Sequence, residues 1–255
     1  MQPHERITTA INAANDDGRT GLVPFITAGY PDPATFCSSL QAIAEVGDVV
    51  ELGVPFSDPM ADGMTIQRSS FAAIENGVTL TWIFEQLDQV QGSIDAPLIM
   101  MSYLNPLLAF GYERLASRAS ETGVCAFIVP DLPYEESAEL FSALDAEGVG
   151  LIQLVTPATP VDRLKLLAGA SRGFLYAVTI TGITGGDTGL PPDLSAYLDG
   201  VSAVSSLPVC AGFGIRTAQD VFNVGRHAAG AIVGSALVEV LERGEDPAAY
   251  LRQLR

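Results

Sequence analysis

The sequence predicts an α/β protein, a (β/α)8 barrel carrying an extra N-terminal helix. Three observations lead there. Eight short, apolar, β-branched runs recur along the 255 residues, and such barrels typically need roughly 250. Helix-period segments alternate with the runs, as they do when parallel strands are joined by crossover helices. The runs are apolar almost without interruption, which suits strands covered on both faces.

In order, the runs are Leu22–Ala28, Asp48–Leu52, Leu98–Tyr103, Ala126–Pro130, Gly150–Val155, Gly173–Thr179, Pro208–Gly212 and Ala229–Gly234. Ile7–Asn15, ahead of the first, reads as the extra helix and is placed to cover the barrel's bottom. Thr65–Gln91 is long enough for two helices with a break near Gly77, while Tyr134–Glu147 and Val161–Ala170 each show an amphipathic helical pattern. Eight runs favour closure over an open doubly wound sheet. No Ser/Gly-rich linker and no shift in composition divides the chain, so residues 1–255 read as a single domain.

The formal net charge of −17 opposes nucleic acid and anionic membrane as partners. No apolar run approaches the roughly 20 residues of a membrane helix, and the N-terminal stretch MQPHERITTAINAANDDGRT lacks the apolar core of a secretory signal. Cys37, Cys125 and Cys210 lack metal-ligand spacing, and a sparse, odd set fits reduced thiols in the cytoplasm. The two histidines, His4 in the N-terminal tail and His227 in a helical stretch, form no cluster with other ligands. Neither a metal nor a cofactor is therefore expected.

In such a barrel chemistry sits at the C-terminal ends of the strands. The second run ends in Glu51, between Leu52 and the apolar pair Val49 and Val50, and the loop behind it returns Asp62 eleven positions on, before Gly63. Two carboxyls in different surroundings can divide acid and base work; a D-P-x-x-D-G loop read alone is more often a solvated turn. The ends of the last three runs are rich in glycine: Thr181–Gly186, Gly212–Gly214 and Gly234–Ala236. Glycines admit an anion close to backbone N–H groups, and Ser235 opens a helix whose N-terminus favours phosphate. Phe25, Met101, Ile128, Tyr176 and Phe213 lie at or near strand ends, where they fill core singly and as a group suit an aromatic substrate. The single lysine, Lys165, lies in the helical segment VDRLKLL and not at a strand end, so Schiff-base aldolase chemistry is excluded.

The chain resembles the alpha subunits of tryptophan synthase. The likeness is carried by PFITAGYPD (24–32), ELGVPFSDPMADG (51–63), SYLNPLLAFG (102–111), IVPDLPYEES (128–137), TGITG (181–185), GFGI (212–215) and VGSALV (233–238). It implies a TIM barrel that cleaves indole-3-glycerol phosphate to indole and glyceraldehyde 3-phosphate by a retro-aldol step, in tryptophan biosynthesis. It implies Glu51 and Asp62 as the catalytic pair. Gly185, Gly214, Gly234 and Ser235 would hold the phosphate, with Phe213 between phosphate and indole. Phe25, Tyr176 and Thr184 would line the indole pocket beside Met101 and Ile128. It further implies a beta-subunit partner in an alpha2beta2 complex, with Pro55, Asp58, Asn105 and Pro106 as contact candidates. Met64 stands where the family commonly has proline after ADG, which removes a φ restraint beside Asp62 and leads us to expect a mobile loop. Two other readings stay open on the sequence: a non-catalytic regulatory subunit that activates a beta-type partner, and another phosphate-binding barrel such as a sugar-phosphate isomerase.

Overall fold

A computed structural model describes residues 1–179, 193–212 and 214–255. Its strands are β1 (Gly21–Thr27), β2 (Val50–Gly53), β3 (Leu98–Met101), β4 (Val124–Ile128), β5 (Gly150–Ile152), β6 (Leu154–Val155), β7 (Leu175–Val178), β8 (Val209–Gly212) and β9 (Gly230–Val233). All pair in parallel, in the order β5-β4-β3-β2-β1-β9-β8-β7-β6. The two ends of that order are halves of one extended stretch. Gly150–Ile152 pairs with β4, Leu154–Val155 pairs with β7, and the Gln153 carbonyl between them accepts the Tyr176 N–H at 3.0 Å. The sheet thus closes on itself through a single strand, as an eight-stranded barrel.

The period-2 alternation of a strand sends successive side chains to opposite faces, and here both faces are apolar. Val23, Ile99, Ile128, Phe174 and Ile232 belong to a cluster inside the barrel. Leu22, Ile26, Leu52, Met100 and Phe127 belong to a larger one between strands and helices. Helix α1 (Pro3–Asp16) closes the bottom: Ile7 and Ile11 join the inner cluster. The Thr8 hydroxyl donates to the Gly173 carbonyl at 2.6 Å, and the Asn15 amide to that of Ala229 at 2.8 Å.

The outer helices are α2 (Phe36–Ala44), α3 (Met64–Glu75), α4 (Leu80–Val90), α5 (Leu104–Phe110), α6 (Tyr112–Thr122), α7 (Ala138–Ala146), α8 (Val161–Ala170), α9 (Leu194–Ser202), α10 (Ala218–Gly225), α11 (Ser235–Glu242) and α12 (Pro247–Gln253). The expected break in Thr65–Gln91 falls between α3 and α4, where Gly77 takes φ 81° and the Thr79 hydroxyl caps α4 by accepting the Trp82 N–H. Three expectations need correction. Tyr134–Glu147 is not one helix: a 3-10 turn at Tyr134–Glu136 precedes α7, and the Ser137 hydroxyl donating to the Tyr134 carbonyl tightens that turn. His4 lies within α1, its Nδ1 donating to the Gly148 carbonyl at 2.9 Å, rather than in a tail. His227 lies in the turn after α10, where Nδ1 meets Asp199 at 2.8 Å.

Helices α3 and α11 flank β1, and each begins at the rim. The Thr27 and Ser69 hydroxyls bond at 2.7 Å in a buried contact that ties α3 to β1. Arg68 grips Glu242 with two hydrogen bonds of 2.8 Å, tying α3 to α11. These contacts fix where Asp62, just before α3, and Ser235, at the start of α11, stand.

Candidate active site

Glu51 sits within β2, in register between Phe25 of β1 and Ile99 of β3. It is 1% exposed, and its Oε2 is the only buried side-chain oxygen or nitrogen among the described residues without a hydrogen-bond partner. A carboxylate there would be stripped of water with nothing in exchange at that oxygen. Burial accordingly pushes its pKa to about 8, with the Asp62 charge adding to the rise. Asp62 is half-buried at the end of the loop after β2. Burial raises its pKa to about 6, while a hydrogen bond from the Tyr103 hydroxyl pulls the other way. The structure therefore brings the two sequence-predicted acids into one electrostatic unit and gives them unequal proton affinities.

Around them stand the aromatic candidates. A Cβ at Gly53 would collide with the Phe25 ring, and one at Gly212 with the Tyr176 hydroxyl, so both strand-end glycines make room for rings. Tyr176 is buried in β7 and feels the charges of both Glu51 and Asp62, which raise its pKa further after burial. Met101, in register with Ile128, packs against the barrel-interior cluster that holds Ile128 and Tyr176 and also against the small cluster of Phe25, Tyr30 and Val238. The apolar wall is thus continuous from β1 through β3 and β4 to β7.

Of the candidate phosphate residues, Gly214 follows β8 with φ 81°, a conformation that favours glycine. Gly234 caps α11 and Ser235 is its first residue, both half-buried. Arg216 is held by Glu239 of α11, and Arg226 lies in the turn after α10, at the opposite end of the barrel from that cap. Thr184, Gly185 and Phe213 lie outside the described residues.

The partner candidates separate by exposure. Asp58 is exposed and accepts the Ser57 hydroxyl at 2.5 Å. Asn105 is exposed and Pro106 half-buried in the first turn of α5, and Pro55 is buried within the chain's own packing. The apolar side chains that share this rim were not among the partner candidates read from the sequence: Met60, Met64 and Leu108 are 76%, 63% and 58% exposed. Sequence reasoning also passed over Tyr103 and Asp131, although both lie in quoted motifs, because nothing in a single motif shows which loop a side chain will touch. Among the described residues no group of three or more His, Cys, Asp or Glu is arranged to hold a metal.

The match to known proteins covers this whole frame. The family model described as tryptophan synthase alpha chain matches residues 11–254. The chain belongs to that family. The tryptophan synthase alpha chain of Desulfovibrio desulfuricans is 43% identical over 244 residues, covering 94% of this chain and 96% of the relative. That of a Geobacter species is 43% identical over 239 residues, 93% and 90% of the two chains. Among solved structures, Mycobacterium tuberculosis tryptophan synthase superposes with a TM-score of 0.90 at 31% identity, covering 98% of this chain and 96% of that one. The alpha subunit from Legionella pneumophila gives 0.88 at 32% identity, covering 100% and 97%. With the family comes the enzyme class, a carbon–carbon lyase acting on indole-3-glycerol phosphate in tryptophan biosynthesis, and the sugar-phosphate isomerase and non-catalytic readings fall away.

Proposed function

We propose that cleavage of indole-3-glycerol phosphate runs through Glu51 as acid and Asp62 as the charged partner. The observation that carries this is the split between the two carboxyls, about 8 for Glu51 and about 6 for Asp62. At neutral pH the first holds its proton and the second has lost it. Protonated Glu51 delivers its proton to C3 of the indole. The indolenine cation that forms carries its charge toward the ring N–H, where the Asp62 carboxylate stabilises it. The bond from C3 to the glycerol carbon then breaks, its electron pair returning to the ring. The hydroxyl on that carbon loses its proton to the Glu51 carboxylate as the aldehyde forms, so Glu51 ends as it began.

The expected pH profile of kcat/KM is a bell, rising as Asp62 ionises near 6 and falling as Glu51 ionises near 8. The two limbs belong to the pair, because the groups interact. Steady-state rates between pH 5 and 10 test this; a rate that keeps climbing into alkali removes Glu51 as the acid.

The phosphate is held by backbone N–H groups at Gly185, Gly214, Gly234 and Ser235, with Phe213 between phosphate and indole and Thr184 beside the ring. The start of α11 supports this, since a helix N-terminus offers unpaired donors and a favourable dipole. Ser235→Glu puts a carboxylate where the phosphate sits. It is expected to raise KM roughly tenfold or more, a like charge costing more than about 1.4 kcal/mol. The same change favours the helix itself, since an acidic group suits the first turn. An unchanged KM with intact folding would move the phosphate elsewhere, with Arg216, held on α11 by Glu239, the cation to test.

The family assembles as an alpha–beta complex. The finer reading is an alpha2beta2 particle in which Asp58, Asn105 and Pro106 form the contact with the beta subunit, the buried Pro55 shapes the loop behind them, and the exposed Met60, Met64 and Leu108 supply its apolar centre. The chain works in the cytoplasm, a reading supported by three free cysteines.

A further inference from the structure

We propose that Tyr103 is the positioning residue of Asp62: its hydroxyl pins the loop between Val54 and Gly63 and keeps Asp62, not Glu51, the charged member of the pair. This rests on the acid–base reading above and deepens it.

Tyr103 lies just past β3 and is buried, at 4% exposure. It meets the loop three times. Its hydroxyl oxygen accepts the Ala61 N–H at 2.9 Å. Its ring stacks on Phe56, with centroids 5.1 Å apart and planes inclined by 26°. Its hydroxyl also stands near enough to the Asp62 carboxyl to favour the charged form. A tyrosine hydroxyl has one hydrogen and spare lone pairs, so accepting from Ala61 leaves that hydrogen for the acid. Tyr103 is itself held from behind. The Leu104 N–H donates to both oxygens of Asp131, at 2.9 and 3.2 Å, which ties the backbone next to Tyr103 to the loop after β4. The Val54 N–H donates to the Met101 carbonyl at 2.8 Å, tying the start of the Asp62 loop to β3.

The charges around this contact explain what it does. Asp62 interacts with Glu51 of β2, with Tyr103 and with Tyr176 of β7, and Tyr103 faces Asp131 in turn. Among the described residues no cation acts on these groups. Burial raises both carboxyls, and among the described residues the Tyr103 hydroxyl is the group that lowers Asp62. On Glu51 one oxygen, Oε2, is left unpaired among the described residues. A hydrogen bond to the charged form favours that form, so the division of labour between the buried Glu51 and the half-buried Asp62 depends on a hydroxyl from a third element.

The test is Tyr103→Phe, which keeps the ring and its stacking and removes only the hydroxyl. The acid limb of the kcat/KM profile is expected to move up by on the order of one pH unit, with kcat lowered more than KM is raised. The Ala61 amide, having lost its acceptor, is expected to exchange faster. A second variant covers the case in which Phe disturbs the fold. Fluorotyrosine placed at position 103 keeps the shape and donates more strongly, so the acid limb is expected to move down. Limbs unmoved in both variants, while Asp62→Asn is inactive, overturn the inference and leave the acid–base reading standing. An active Asp62→Asn overturns the reading itself.

Discussion

Glu51→Gln and Asp62→Asn are each expected to lower turnover of indole-3-glycerol phosphate by about 10²- to 10⁴-fold, the usual contribution of a general acid or base. The two losses have different causes. Gln at position 51 fits the same buried space but has no proton to give to C3 and no carboxylate to take one back from the hydroxyl. Asn at position 62 keeps a carbonyl oxygen for the indole N–H, yet it carries no charge to stabilise the indolenine cation. In a site as dry as the Glu51 strand end, a missing charge is felt more than it would be in water. The double variant is expected to be little worse than the worse single one, because the residues act as a unit. Steady-state rates with circular dichroism as the folding check decide this, and a variant that turned over like the wild type would remove its residue from the mechanism.

The barrel was legible in the sequence because nearly every strand had to be apolar on both faces. Eight such runs name a closed ring almost without reference to detail. The split at Gln153 was not legible, since Gly150–Val155 reads as one run, and only pairing with β4 on one side and β7 on the other divides it. Glu51 stood out as a carboxyl in an apolar strand, and Gly214 and Ser235 as rim residues in the right order. What stayed hidden is how the loop carrying Asp62 is held. From its own residues that loop looks weakly restrained, with Met64 in place of a proline. Its anchors come from outside: Tyr103, the Met101 carbonyl and, from the first turns of α3, the Gln67 amide donating to the Asp62 carbonyl at 2.9 Å. The corrected 3-10 turn before α7 has a similar origin, since its amphipathic pattern runs through Ser137 while the hydroxyl there bonds backward.

Glu51→Gln is also expected to make the protein more stable than the wild type at alkaline pH. The folded-state pKa of Glu51 is raised from 4.5 to about 8, so the native state holds a proton that the unfolded chain gives up sooner. Below the unfolded value both states are protonated, and Glu51 costs the fold nothing by titration. As pH rises toward the folded value the unfolded state binds fewer protons, so stability falls by about 1.4 kcal/mol per unit. Above about 8 the loss is complete and the native state carries a buried carboxylate with one oxygen unpaired. Gln does not titrate and escapes this cost, so the gap between variant and wild type is expected to open with pH and reach a few kcal/mol, on the order of a buried, uncompensated charge. Asp62 shifts in the same direction but is half-exposed, so its share is smaller after solvent screening. Urea unfolding of both proteins at acid, neutral and alkaline pH gives the gap directly. A gap that stayed constant, or one that reversed, would mean that the Glu51 carboxylate is stabilised in solution; Glu51 would then be charged at neutral pH and unable to protonate the indole. Stability lost at the residue proposed to carry the proton is what an active-site acid held in the wrong solvent for its charge would show.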